Sequence, residues 1–338
     1  MVAFITKALI VITFLGGVAT LLIWLFVVRS SNRALDLATN PAPSLTREAN
    51  LETHVRLLSE ELVPRSWRHQ TNLNRAADYI AAAFKDSGAL TEEQVFSVEG
   101  HSYRNILAAY GPEQEPWIVV GAHYDVAGDG PGADDNASAV AGLLELGRLL
   151  GAGTLSRRVL LAAYALEEPP FFATRHMGSA VHARSLRKAG RRIELMICLE
   201  MIGYYSDQPG SQLFPLPLLR LFYPSRGNFL MVVDRLTSGH GPRLREVMRS
   251  AAPLAVHSIN APAFLWGIGL SDHRSFWQAG YDAVMLTDTA FYRNRAYHTA
   301  GDTADRLDYA RMALVIDGLY QYLTVPAARP PAVPAHAD

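Results

Sequence analysis

The sequence predicts an α/β domain: a mixed, mostly parallel sheet sandwiched by helices, preceded by an N-terminal transmembrane helix. Three observations predict it. Continuous apolar runs of strand length alternate with segments of helical spacing, as strands buried on both faces do. Acids and histidines collect just after those runs, where open α/β sheets place their ligand sites. One uncharged stretch of 21 residues, Ala8–Val28, stands apart at the N-terminus.

That stretch lies between Lys7 and Arg29. As a helix it spans about 30 Å, the hydrocarbon thickness of a bilayer. A cleaved secretory signal would have a shorter apolar region, about 7–15 residues, and a small-residue cleavage site. Here Arg-Ser-Ser-Asn-Arg follows instead. A buried core helix fits poorly, because both faces are apolar and a polar stretch comes next. Residues 1–29 therefore read as an anchor, with the membrane met through residues 8–28. Residues 30–50, with Pro41 and Pro43, read as a linker. Lys7 and the amino terminus balance Arg29 and Arg33, so the positive-inside rule does not choose an orientation. The expectation is a membrane-anchored chain whose large domain, residues 51–325, is exported. The Pro/Ala-rich end, 326–338, reads as a disordered tail.

Within the domain, Asn72–Ser87 has helical spacing and stops at Gly88, a C-cap. Ile106–Tyr110 reads as a short strand and Trp117–Ala122 as a buried one. Ala137–Leu150 reads as a helix, with Asp135 and Asn136 as cap candidates. Val159–Ala165 is a buried strand, Met177–Ala189 a helix ending at Gly190, and Ile193–Leu199 a strand. Residues 204–228 are rich in Pro and aromatics and long for a connection, so they read as a lid or pocket wall. Phe229–Val233 and Ala283–Thr287 are further strands, and Tyr309–Leu323 is an amphipathic last helix.

Composition narrows the chemistry. Lys+Arg number 31 against 32 Asp+Glu, so no basic excess argues for nucleic acid. A single cysteine, Cys198, excludes a disulfide framework and Cys-rich metal sites. Eleven histidines remain, so a metal site would use His and carboxylates. The only lysines, Lys7, Lys85 and Lys188, sit in no motif, which argues against Schiff-base chemistry. Neither Gly-x-Ser-x-Gly nor His-Glu-x-x-His occurs.

The strand ends carry the candidates. His123 and Asp125 follow the first buried strand, and a carboxylate near a ligating imidazole can fix its tautomer. Gly132–Ser138 opens a helix, so its acids are caps, ligands or both. Glu167 and Glu168 follow the next strand. They form a solvated turn, or else one binds a cation while the other, raised in pKa, acts as a base. Glu200 follows the third strand, and Tyr297-His298-Thr299 lies beyond the last. Two His and several carboxylates suit zinc, and two zincs can share a bridging carboxylate.

In order, the motifs are His123-x-Asp125, Gly-Ala-Asp-Asp135-Asn-Ala-Ser, Glu167-Glu168, Glu200 before Met-Ile-Gly, Ser-Asp272-His273, and Tyr297-His298-Thr-x-x-Asp302-Thr. This series resembles the co-catalytic zinc aminopeptidases, which include bacterial leucine-type aminopeptidases and aminopeptidase S; glutaminyl cyclases share the fold. The resemblance covers about Asn72–Leu323. It implies a zinc-exopeptidase-like fold, peptide or aminoacyl substrates and two zinc ions per chain. Asp135 would bridge the ions, Glu168 and His298 would complete one, and His123 and Glu200 the other. Glu167 would be the general base and Tyr297 would help polarise the scissile carbonyl. Asp125, Asp272 and His273 would stand behind the ligands. Two departures are visible: Glu200 stands where the family usually has Asp, and Pro169-Pro170 follows the glutamates where many relatives turn with Gly. A single-zinc glutaminyl cyclase using Asp135, Glu168 and His298 is one alternative. A non-catalytic receptor-like protein on the same fold is another. The retained His123 favours two metals and hydrolysis.

Overall fold

The computed structural model describes residues 44–324, together with residues 13, 14, 16–18 and 21, which are helical. The rest of the expected anchor, the linker up to residue 43 and the tail over 326–338 lie outside the described residues. Among the described residues no helix is long and apolar enough to cross a membrane.

Eight strands form one sheet: β1 Leu90–Val98, β2 His101–Tyr110, β3 Trp117–His123, β4 Val159–Tyr164, β5 Ile193–Glu200, β6 Leu230–Arg235, β7 Val256–Ala261 and β8 Ala283–Thr287. Their order is β1-β2-β4-β3-β5-β8-β6-β7. The central four, β4-β3-β5-β8, run parallel. An antiparallel hairpin, β1–β2, closes one side, and the mutually parallel β6 and β7 lie antiparallel to β8 on the other. All four central strands therefore end on one edge of the domain.

The strands alternate between two apolar layers, as a period of two requires. Ile118 and Val120 of β3 and Leu161 of β4 face one layer, while Val119, Leu160 and Tyr164 face the other. The first layer is covered by α1 Glu48–Arg56, α2 Gln70–Asp86, α3 Ala139–Ala152, α5 His240–Ala251 and α7 Tyr309–Thr324. The second is covered by α4 Gly178–Lys188 and α6 His273–Gln278. Helix α2 ends at Gly88, whose N–H bonds to Lys85 O while Ala89 N bonds to Phe84 O. The Gly190 stop of α4 is built alike, with Arg191 N on Leu186 O.

Three differences from the sequence reading stand out. Helix α1 and its wide last turn, Leu57–Glu61, start within the stretch read as linker. Strand β1 is mostly exposed and carries Glu92, Glu93 and Gln94, so it has no apolar run to betray it. The segment read as a capped helix from Ala137 begins instead with a non-helical kink at Asp135 and Asn136.

Candidate metal centre

Each central strand delivers one part of the site to the same edge. His123 is the last residue of β3, and Glu200 is the last of β5. Glu167 and Glu168 follow β4 through Leu166, and His298 lies in the loop after β8. Leu166 (φ 62°), Met201 (φ 49°) and His298 (φ 57°) are all left-handed, a conformation unfavourable for residues with a Cβ and held only by surrounding structure.

Asp135 lies at the centre. Its Oδ1 is 3.3 Å from His123 Nε2, and its Oδ2 is 3.0 Å from His298 Nε2. Glu200 Oε2 is 3.4 Å from the same nitrogen of His123. Glu168 Oε2 is 3.2 Å from His298 Nε2, and Glu167 Oε2 is 3.9 Å from His123 Nε2. The donor atoms of His123, Asp135 and Glu200 thus lie within 4.8 Å of one another, and so do those of Asp135, Glu168 and His298. Asp135 Oδ1 is buried without a hydrogen bond. A buried, orphaned carboxylate oxygen facing an imidazole fits a bound cation, and two N/O donor sets of this kind fit zinc.

The kink that turns Asp135 inward is anchored by backbone bonds. Gly132 is left-handed (φ 57°), and a Cβ there would lie 2.3 Å from Asp135 O. The Asp302 carboxylate accepts from Asp134 N and Asp135 N at 3.0 Å. It therefore does the capping for which Asp135 was one candidate. Asn136 likewise caps nothing: it donates to Leu199 O and accepts from Met201 N, tying the kink to the end of β5. Asp134 accepts from Gly203 N and Asn294 Nδ2.

Residues around the ligands depart from expectation. Asp125 keeps its carboxylate 3.6 Å from His123 Nδ1, which meets the Asp125 carbonyl at 3.1 Å instead. That carboxylate holds Glu167 N and Glu168 N, both at 3.1 Å, and so aims the two glutamates. His273, expected behind the ligands, turns its Nε2 to Ile268 O at 2.7 Å and its ring edge to Trp277. Burial holds its pKa down at about 4. Asp272 is fully buried, and neither carboxylate oxygen has a hydrogen bond. Burial pushes its pKa up to about 7. The residue that does touch a ligand from this motif is Ser271, whose hydroxyl donates to Glu200 Oε2 at 2.5 Å. It was not singled out from sequence, where a lone Ser carries no signal. Tyr297 stacks on His298 with ring centroids 3.7 Å apart.

Charge is concentrated here. Burial favours neutral carboxyls: it pushes Glu168 up to about 7, with Asp135 adding to the effect, and raises Glu167 far above its ordinary range. Burial also opposes the charged imidazole, yet the hydrogen bonds to Asp135 and Glu168 lift His298 to about 10. Burial works against an ionised Asp135 as well, but the close imidazoles of His123 and His298 hold its pKa well below the usual carboxylate range. Cations would replace these protons, since ligating imidazoles must be neutral.

Beside Glu200 and Tyr297 opens an apolar pocket of about 110 Å³, lined by residues including Phe214, Leu219, Tyr223, Ile268 and Met285. The segment 204–228 supplies part of its wall.

Comparison with known proteins bears on the family and the fold. The model of peptidase family M28 matches residues 105–323. An uncharacterized Escherichia coli K12 protein, YfbL, is 49% identical over 296 residues, taking in 84% of this chain and 91% of that one. A probable leucine aminopeptidase of Arthroderma otae is 24% identical over 268 residues; the match takes in 73% of this chain and 64% of the fungal protein. Among solved structures, the LapA aminopeptidase of Legionella pneumophila superposes with a TM-score of 0.66 at 19% identity, over 82% of this chain and 72% of that one. A Bacteroides thetaiotaomicron glutaminyl cyclase does so at 0.64 and 17%, over 85% and 100%. Those two likenesses speak to the fold alone. With the strand-end ligand sets in place and the family model matching most of the chain, this protein belongs to peptidase family M28.

Proposed function

We propose that the chain is a membrane-anchored, zinc-dependent aminopeptidase with two zinc ions, held through residues 8–28 and with its catalytic domain exported. The observation that carries the reading is the pair of three-residue donor sets sharing Asp135, with the Glu167 carboxyl beside them. The leucine aminopeptidase and zinc metalloprotease names among its relatives support it. His123 and Glu200 would hold one ion, Glu168 and His298 the other, with Asp135 between. Zinc bound there supplies Lewis-acid polarisation of a carbonyl and makes water more acidic.

The chain's own residues do the rest. Glu167 takes the proton from the attacking water as the new C–O bond forms. It then gives that proton to the leaving amine as the C–N bond breaks. Tyr297 donates its hydroxyl hydrogen toward the developing oxyanion. Burial and the neighbouring Asp135 raise the Tyr297 pKa, so the phenol keeps that hydrogen. The apolar pocket beside Glu200 receives the first side chain of the peptide. The uncharged 21-residue stretch supports the anchor.

Glu167→Gln removes the base but no proposed ligand. The variant is expected to bind the same zinc per chain as wild type, two ions, while kcat falls about 10²–10⁴-fold. Metal analysis and turnover of aminoacyl chromogenic substrates check this. Unchanged kcat would refute the role of Glu167. One zinc per chain, with turnover of N-terminal glutamine peptides, would favour the cyclase reading through the Asp135, Glu168 and His298 set.

A further inference from the structure

Two loops form a rim around the mouth of the apolar pocket. One carries Leu213, Leu216 and Leu221 around the short turn Pro217–Leu221, and the other, after β7, carries Phe264, Leu265 and Trp266. Both line the same pocket, the first through Phe214 and Leu219, the second through Trp266 and Ile268. Phe264 is 85% exposed, Leu221 71% and Trp266 66%. Trp266 is not loose: it packs on Phe291 and Tyr292, at 5.2 and 6.0 Å between ring centroids, and still presents most of its surface. Exposed apolar patches of this kind mark interaction sites.

Charge narrows the partner. Residues 208–233 contain Arg220 and Arg226, both exposed, and no acid. Residues 255–281 contain Arg274 and, as their sole acid, the buried Asp272. Exposed Arg295 lies in the adjoining groove with Leu213. The acids at the edges of the rim, Asp207 and Asp282, are paired with Arg311 and Arg235, so a rim of aromatics, leucines and arginines complements an anionic lipid surface.

The tether makes that surface available. The described domain begins at Ser44, pinned to Asp317, and the apolar stretch ends at Val28. Residues 29–43 span at most about 50 Å when extended. A domain of this size is itself about 50 Å across. The rim therefore stays within reach of the bilayer at a high effective concentration.

We propose that this rim docks on the anionic lipid surface of the membrane that holds the anchor, so that the pocket beside Glu200 opens at the bilayer and not into bulk water. The proposal rests on the anchor reading above. Substrates would then be peptides that partition to the membrane surface.

The full-length chain tests it. Phe264→Cys and, separately, Leu221→Cys are labelled with an environment-sensitive fluorophore; Cys198 is buried and stays unlabelled. Glu92→Cys on β1 serves as the solvent-facing control. Each protein is reconstituted into vesicles of phosphatidylcholine with phosphatidylglycerol. The expected result is blue-shifted emission at 264 and 221, lost when the lipid carries a headgroup-level quencher, and weakened without phosphatidylglycerol. The label at 92 should stay aqueous. Flotation reads the anchor separately. A chain that does not float with the vesicles overturns the anchor and this proposal with it. A floating chain with an aqueous, unquenched label at 264 overturns the docking alone. A blue-shifted label that lipid does not quench means protein covers the rim, and overturns it too.

Discussion

The Arg65 guanidinium is fully buried and donates to the carbonyls of Leu58, Tyr124, Pro131 and Gly132. Burial lowers its pKa to about 10, and the charges of Asp302, Asp135, Asp125 and Glu168 oppose that loss. It thereby fixes the backbone on which His123 and Asp135 stand. Arg65→Met leaves those carbonyls without their donors, each at about 1–3 kcal/mol if it stays buried. The variant is expected to melt lower and to retain less zinc after dialysis. Wild-type melting and metal content would refute this. Nothing in the sequence flags Arg65, because its four partners are backbone atoms from distant segments. The candidate ligands were legible as a set because strand ends are visible as apolar runs followed by acids and His. Whether Asp135 capped or ligated was not, since both roles use the same residue type at a helix start. His273 misled for the same reason: its place in a motif says nothing of which way the ring turns.

At the scale of elements, the join between β4 and α4 sets the glutamates. Gly178 N donates to Ala165 O at 2.7 Å, and Asn105 Nδ2 donates to Gly178 O. A Cβ at 178 would stand 2.1 Å from Asn105 Oδ1 and 2.6 Å from Ala165 O. Gly178→Ala must push the start of α4 away from the strand end two residues before Glu167. An overpacking cost of about 1–3 kcal/mol is expected, with a lower kcat. Urea denaturation and turnover check it, and unchanged values on both would sink the argument. The buried parallel strands were readable from their apolar runs. Strand β7 was not, because it alternates in His257, Ser258 and Asn260. Ser258 accepts from Arg245 and Asn260 donates to Arg235 O and Ser238 O, so these polar side chains find partners inside. Helix α5 carries Pro242 in its first turn and three arginines, which blunt its apolar stripe.

The whole molecule begins, physically, before the residue where apolar patterning starts. Thr46 bonds to Asp317 through N and Oγ1, and Arg47 N and Asn50 Nδ2 bond to Glu145. Removing residues 1–43 is expected to give a detergent-free, active domain. Removing residues 1–50 strips partners from the buried Glu145 and should lower stability by about 1–3 kcal/mol. Size-exclusion chromatography and thermal melts distinguish the two, and equal melting temperatures would refute the difference. Two buried histidines should add an acid-sensitive part to the stability. Burial holds His182 at about 3 and His273 at about 4. Below their unfolded pKa of about 6.5 the unfolded chain binds protons that the folded one refuses. The contribution of these two histidines is therefore complete above about pH 6.5 and is lost toward pH 4, by on the order of 3 kcal/mol each. His182→Gln should flatten the melting temperature against pH in that window; an unchanged slope would count against it.

One bond set reaches further than its length. The Asp302 carboxylate grips the amides of Asp134 and Asp135 across 168 and 167 positions of sequence. A chain still emerging from the ribosome or crossing a membrane holds Asp135 long before it holds Asp302 or His298. The kink that aims Asp135 cannot form until the last loop arrives. The candidate metal centre is thus completed only by residues from the last part of the chain to be made.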